Sequence, residues 1–131
     1  MTAAPTVEVS WGELIDKITI LEIKARRLSA PAAVANVRRE LAVLDKALHR
    51  MQAPPQLAAF KRDLAAINES LWQIEDKIRA KEAAGAFDEE FIELARSVYL
   101  NNDKRAGVKR AINRLLQSDL VEEKQYTSYK V

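Results

Sequence analysis

The sequence predicts an all-α protein, an elongated antiparallel bundle of about four helices with coiled-coil-like seams and a short carboxyl-terminal tail. Three observations carry that prediction. Along four separate stretches, apolar residues recur at alternating steps of three and four, the signature of one buried helix face. Three glycines and 6% aromatic residues in a chain of 131 are too few for an ordinary β fold. Finally, Pro31, Pro54, Pro55 and Gly85 fall between these stretches rather than inside them.

The chain reads as one domain, residues 1–131, long enough to bury a core without metals or cross-links. Residues 1–9 are an extended lead-in, marked by Pro5 and the valines of Thr6-Val7-Glu8-Val9, with the reach to pack along the bundle as a strap. The first helix, Ser10 to Leu28, organises the rest. Trp11, Leu14, Ile18, Leu21, Ala25 and Leu28 form a seam, while Ile15, Ile20 and Ile23 lie off it. A helix apolar on nearly all sides belongs in the middle of a bundle. Its start is specified twice, by Ser10 and Glu13 as a capping box and by Val9 and Leu14 as a hydrophobic staple.

Proline at 31 ends this helix near Ser29-Ala30 and suits the first turn of the next. The second helix carries Val34, Val37, Leu41, Leu44, Leu48 and Met51 and stops at Ala53-Pro54-Pro55. A third helix, with Leu57, Phe60, Leu64, Ile67, Leu71, Ile74 and Ile78 on its seam, runs to a left-handed stop at Gly85. The fourth is capped by Asp88, with Phe87 and Ile92 as its staple, and continues through Phe91, Leu94 and Val98. Its seam is broken by Asn101 to Arg105 and resumes in phase at Val108, Ile112 and Leu115. Preserved phase argues for one helix, at a cost of about 1 kcal/mol for Gly107, with a kink at that glycine as the alternative. The last residues, 118–131, are expected to dock through Leu120, Val121, Tyr126 and Tyr129.

Composition excludes several kinds of chemistry. With no cysteine there is no disulfide, thiolate nucleophile or cysteine-ligated metal. His49 is the single histidine, which leaves no catalytic triad and none of the Glu-x-x-His pairs of di-iron bundles; it is expected on the surface. Pro31 breaks the long first helix that a chorismate mutase would need. A net charge of +2 is spread over both signs, and the basic residues form no concentrated patch, so nucleic acid is not an expected partner. Neither a signal peptide nor an apolar run of membrane-spanning length is present, and a cytoplasmic location with no membrane partner is expected.

Three features remain as candidate sites. Asn101 and Arg105 stand where the fourth seam should be apolar, with Arg96, Asn102 and Lys109 nearby. These residues either bind a small anionic ligand, which a guanidinium grips bidentately, or form a polar layer that fixes register, with Arg105 paired to a carboxylate of the first or third helix. Glu13 with Asp16, and Glu90 with Glu93, each share a helix face. Convergence of these pairs would hold magnesium, as in all-α nucleotide pyrophosphatases, but in that family the paired acids come from successive helices in the opposite chain order. Trp72 lies off the third seam and is expected to cover the tail or the lead-in, or to face a protein partner or a second copy.

The segments GELIDKITILEIK, NVRRELAVL, LWQIEDKIR, FIELARSVYLNNDKRAGVKRAINRLL and LVEEKQY together resemble a family of small, uncharacterised bacterial all-helical proteins known as a domain of unknown function. The resemblance covers nearly the whole chain from Trp11 to Tyr126. It implies a bacterial protein associated with glycosyltransferase and surface-polysaccharide genes, and it brings no catalytic residues with it. The resulting expectation is a non-enzymatic interaction or accessory module, self-associating or binding another protein and needing no cofactor. The alternative is an enzyme or binding protein for a phosphorylated or nucleotide-sugar ligand, held at the fourth-helix cluster, with magnesium if the carboxylates converge.

Overall fold

The computed structural model describes residues 2–130. Four helices make up its regular structure: α1 (Trp11–Arg27), α2 (Pro31–Leu48), α3 (Leu57–Ala84) and α4 (Glu89–Leu115). No strand is present among the described residues. Helix α1 packs against all three others and α3 packs against α4, whereas α2 packs along α1 alone. The bundle is therefore centred on α1.

That arrangement follows from the sequence of α1. Ile15 and Ile18 are fully buried, and Leu14, Leu21 and Ile23 nearly so, on faces that together surround the helix. Ile15, Leu57, Leu64 and Ile112 form the core where α1, α3 and α4 meet. Full burial of each such side chain is worth about 1.5–3 kcal/mol. Ser10 caps α1, its hydroxyl accepting from the Glu13 amide at 3.1 Å. The other half of the expected capping box is absent, because the Glu13 carboxylate is engaged by α4 instead.

Contacts fix the directions of the helices. Gly12 meets Asn113, and Asp16 meets Arg105, so α1 and α4 are antiparallel. Lys17 meets Glu40 across the α1–α2 turn, and Lys81 meets Asp88 across the α3–α4 turn, so both hairpins are antiparallel as well. Pro31 occupies the first turn of α2. Gly85 ends α3 with φ 63°, and its amide and that of Ala86 bond the last carbonyls of the helix. Asp88 caps α4, accepting from the Phe91 amide at 3.0 Å, and α4 runs unbroken through Asn101–Gly107.

Four local expectations are corrected. Helix α2 ends at Leu48, short of Met51, because tight i−3 bonds from Arg50 and Met51 close its last turn ahead of the prolines. Met51 then folds back onto the core. The lead-in is no strap: residues 2–9 are exposed, Val7 at 74% and Val9 at 49%. Phe87 and Ile92 are both exposed and form no buried staple, since Phe87 stands edge-on to Phe91 instead, with ring centroids 5.2 Å apart. In the tail, Leu120, Val121, Tyr126 and Tyr129 are all exposed rather than buried against the bundle, Tyr129 standing edge-on to Tyr99 with ring centroids 5.3 Å apart.

Candidate functional site

Where α1 crosses α4, three positions on each helix face one another. On α4, Arg105, Lys109 and Asn113 are four apart and share a face; on α1, Gly12 and Glu13 stand four and three residues before Asp16, one turn from it. Running antiparallel, the two faces match Gly12 with Asn113, Glu13 with Lys109 and Asp16 with Arg105. The result is a polar ladder through an otherwise apolar interface.

Asp16 is its centre. The residue is completely buried. Arg105 grips its carboxylate through Nε, at 2.9 and 3.0 Å, and through one terminal nitrogen. Asn68 of α3 donates to Asp16 at 2.8 Å and also to the hydroxyl of Thr19 at 2.9 Å, while that hydroxyl donates to the Asp16 carbonyl at 2.7 Å. A carboxylate this deep is tolerated only because it is paired and fully hydrogen-bonded. The Arg105 guanidinium is held in its charged form above its ordinary range by the bond to Asp16, against the opposing effect of burial.

Lys109 forms the second rung. Its ammonium lies 2.7 Å from Glu13, 2.6 Å from Glu122 of the tail and 3.9 Å from Asp16. Burial pulls its pKa down, but the carboxylates of Glu122 and Glu13 outweigh that and raise it overall. Glu122 is in turn held below the usual carboxylate range, first by Lys109, and Lys124 lies 3.3 Å from its other oxygen. The third rung is a close approach of backbones. Asn113 accepts from the Gly12 amide at 2.7 Å, and a Cβ on Gly12 would stand 2.5 Å from the Lys109 carbonyl oxygen.

Of the five anion-binding candidates, Arg105 and Lys109 come together. Arg96 is exposed, about two and a half turns away. Asn101 is half-buried and spends its amide on the Ser97 carbonyl at 2.8 Å. Asn102 borders a surface cleft under Tyr126 and Tyr129. The carboxylates expected to hold magnesium do not converge. Glu13 and Asp16 face Lys109 and Arg105, whereas Glu90 binds Lys81 at 3.0 Å, and Glu93 is exposed on the same end of α4, about 18–22 Å from Arg105 along the helix. Among the described residues no group of three or more His, Cys, Asp or Glu side chains is placed to hold a metal ion.

Trp72 covers neither tail nor lead-in. It lines a groove of about 340 Å³ with Ile20 and Ile23 of α1 and Leu71 of α3, bordered by Asn68 and Arg105, and the Arg27 guanidinium sits 5.8 Å from the centre of its ring. His49 is exposed as expected, its Nδ1 2.6 Å from the Asp45 carbonyl. Sequence reasoning missed Gly12, Thr19, Asn68, Ser118 and Glu122. The four-residue spacing of Arg105, Lys109 and Asn113 was the signal that identifies the ladder; nothing in the tail's composition singled out Glu122.

The tail is thus fastened by polar contacts. Ser118 meets the Trp11 amide at 3.3 Å, Glu122 meets Lys109, and the Tyr129 hydroxyl donates to Asp103, which pushes the Tyr129 pKa up to about 12. Because Glu122 has a lower pKa folded than unfolded, its contribution is present above the ordinary carboxylate value near 4.5 and is lost as pH falls through the folded value. Lys109, with its pKa raised, keeps its charge across this window. Acidification through that lowered folded value should therefore free residues 119–125 while the helices persist. Heteronuclear NOEs of those residues should fall in acid, and Glu122→Gln should give the same low values at pH 7. Unchanged NOEs in both cases would rule out the Lys109 contact as the fastening.

The fold and the ladder define an α1-centred helical protein whose interior charges are matched to one another. The chain belongs to a family of unknown function, DUF6165, whose model matches residues 5–130. No curated protein and no solved structure matches it. No helix of the described residues is long and apolar enough to cross a membrane.

Proposed function

We propose that this protein is a non-enzymatic interaction module, in which α1 and the ladder form a rigid base and the far halves of α3 and α4 form the working surface. One observation carries this reading. From Glu69 to Val108 no residue is buried, although the stretch holds Leu71, Ile74, Ile78, Phe91, Leu94 and Val98 on its seams. A two-helix hairpin has one seam and leaves its remaining apolar surface uncovered, and Phe87 and Ile92 are 60% and 54% exposed here. Exposed apolar surface rimmed by charge is characteristic of protein contact sites. The bacterial, cytoplasmic setting near glycosyltransferases that the family resemblance implies is part of this proposal.

A small-anion site at the fourth-helix cluster is the second reading, and the ladder's charge balance argues against it. Arg105, Lys109 and Lys124 meet Glu13, Asp16 and Glu122, so the cations that the ladder brings together are already neutralised. Thermal-shift measurements separate the two readings, because any ligand specific to the folded state raises the melting temperature. Magnesium, nucleotides, sugar nucleotides and inorganic phosphate at millimolar concentration are each expected to leave the midpoint unchanged. A rise of several degrees with any of them, abolished by Lys109→Met in a still-folded protein, would replace the interaction reading with a ligand-binding one.

A further inference from the structure

Resting on the interaction reading, we infer that the partner is a second copy of this chain, the α3–α4 hairpins of two molecules lying antiparallel with the acidic end of each on the basic shoulder of the other. The geometry begins where α1 stops. Its last residue, Arg27, is fixed beside Glu69 and Trp72 of α3. Helix α3 continues from there to Ala84, about 18 Å further. The hairpin therefore projects past α1 with no third helix along it.

Charge is divided in the same way. Residues 80–93, the projecting end beyond the Trp72 groove, carry five acidic side chains and one basic, although the whole chain has a net charge of +2. The positive excess lies elsewhere. At the foot of the hairpin, the last turn of α1 presents Lys24, Arg26 and Arg27, and the Arg26 side chain remains 65% exposed beside Glu69. A parallel arrangement of two hairpins would bring the two acidic ends together. An antiparallel one, over the same 18 Å or so, carries each acidic end to the other molecule's Lys24 and Arg26. It also brings the exposed Phe87 and Ile92 of one copy to the groove beside Trp72 of the other.

The contact is self-complementary, as a closed two-fold dimer requires, and turns two single-seam hairpins into a four-helix arrangement with an interior. Nothing has to unfold to allow it. Glu82 and Glu93 make no ion pair among the described residues, so both are available to a partner.

Sedimentation equilibrium on the full chain tests this directly. A dimer is expected at micromolar concentration in 50 mM salt, weakening as salt rises and screening shortens. Glu82→Lys with Glu93→Lys should weaken it at least tenfold, as should Lys24→Glu with Arg26→Glu, with circular dichroism unchanged in both. Combining all four substitutions should restore it, since the charges are then merely exchanged. Trp72→Ala should weaken the dimer without loss of helicity. A protein that stays monomeric at 100 µM overturns the second copy as partner and leaves the interaction module to a different protein; a dimer indifferent to both charge reversals, or one not restored by the combination, overturns the antiparallel arrangement. Ligand-induced stabilisation in the thermal-shift screen would instead defeat the underlying interaction reading.

Discussion

Replacing Arg105 with alanine is expected to destabilise the protein by about 3 kcal/mol, at the lower end of what is lost when one member of a buried ion pair is removed. The Asp16 side chain is 1% exposed, so its charge has no water to return to once the guanidinium is gone. Asn68 still donates one hydrogen bond, and Lys109 remains 3.9 Å away, which keeps the loss from the upper end of that range. For a domain of this size the melting temperature should fall by roughly 10 °C. The reverse deletion should be milder. Asp16→Asn removes the buried charge, and Arg105, whose side chain is 27% exposed, keeps access to solvent. An apolar exchange, Asp16→Leu with Arg105→Met, should recover much of the loss, because Asn68 retains the Thr19 hydroxyl as acceptor and the unpaired charge is gone. Thermal melts of the four proteins give the ordering. Equal losses for Arg105→Ala and Asp16→Asn, or a loss below 1 kcal/mol for the former, would refute the account of Asp16 as a charge that needs its partner.

Why Asp16 and Arg105 find each other was half legible in the chain. Arg105 interrupts an apolar seam that is in phase on both sides, so it had to point inward and needed a carboxylate from a neighbouring helix. Which carboxylate was hidden, because Asp16 lies between Ile15 and Ile18 in a helix whose every face is apolar, and periodicity cannot assign a polar residue to one of several buried faces. Elements set by local chemistry were legible for the opposite reason. Ser10, Pro31, Gly85 and Asp88 act on their own turns, so the helix starts and stops they specify appear where those residues stand. Met51 shows the limit: it continues the three-and-four spacing of α2 but belongs to the turn beyond it, because spacing does not distinguish a helical position from a chain that folds back onto the same core. The tail was the least legible. Its visible signals were aromatic and aliphatic, whereas its fastening to α4 depends on Glu122, one carboxylate among several, meeting a lysine that tertiary structure alone places there.

Glycine at position 12 gives the other large effect, and its contrast with Gly107 makes the cause testable. Gly12→Ala should destabilise by about 2–3 kcal/mol, the upper part of the range for overpacking a close-packed interior. The added Cβ would lie 2.5 Å from the Lys109 carbonyl oxygen and 3.0 Å from Asn113 Oδ1. A main-chain oxygen inside a helix cannot swing aside as a side chain can, so α1 and α4 must separate at this point. Separation also strains the Gly12–Asn113 hydrogen bond and the Glu13–Lys109 rung next to it. At Gly107 a Cβ would meet nothing within 4 Å, and the residue sits in mid-helix with an ordinary helical backbone. There alanine should stabilise by about 0.5–1 kcal/mol, through helix propensity and a less flexible unfolded chain. Propensity favours alanine at both sites; the neighbouring backbone at Gly12 reverses the outcome. Denaturant melts of the two single variants decide the matter. If Gly12→Ala is neutral or stabilising, α1 and α4 are not held at the distance on which the ladder depends.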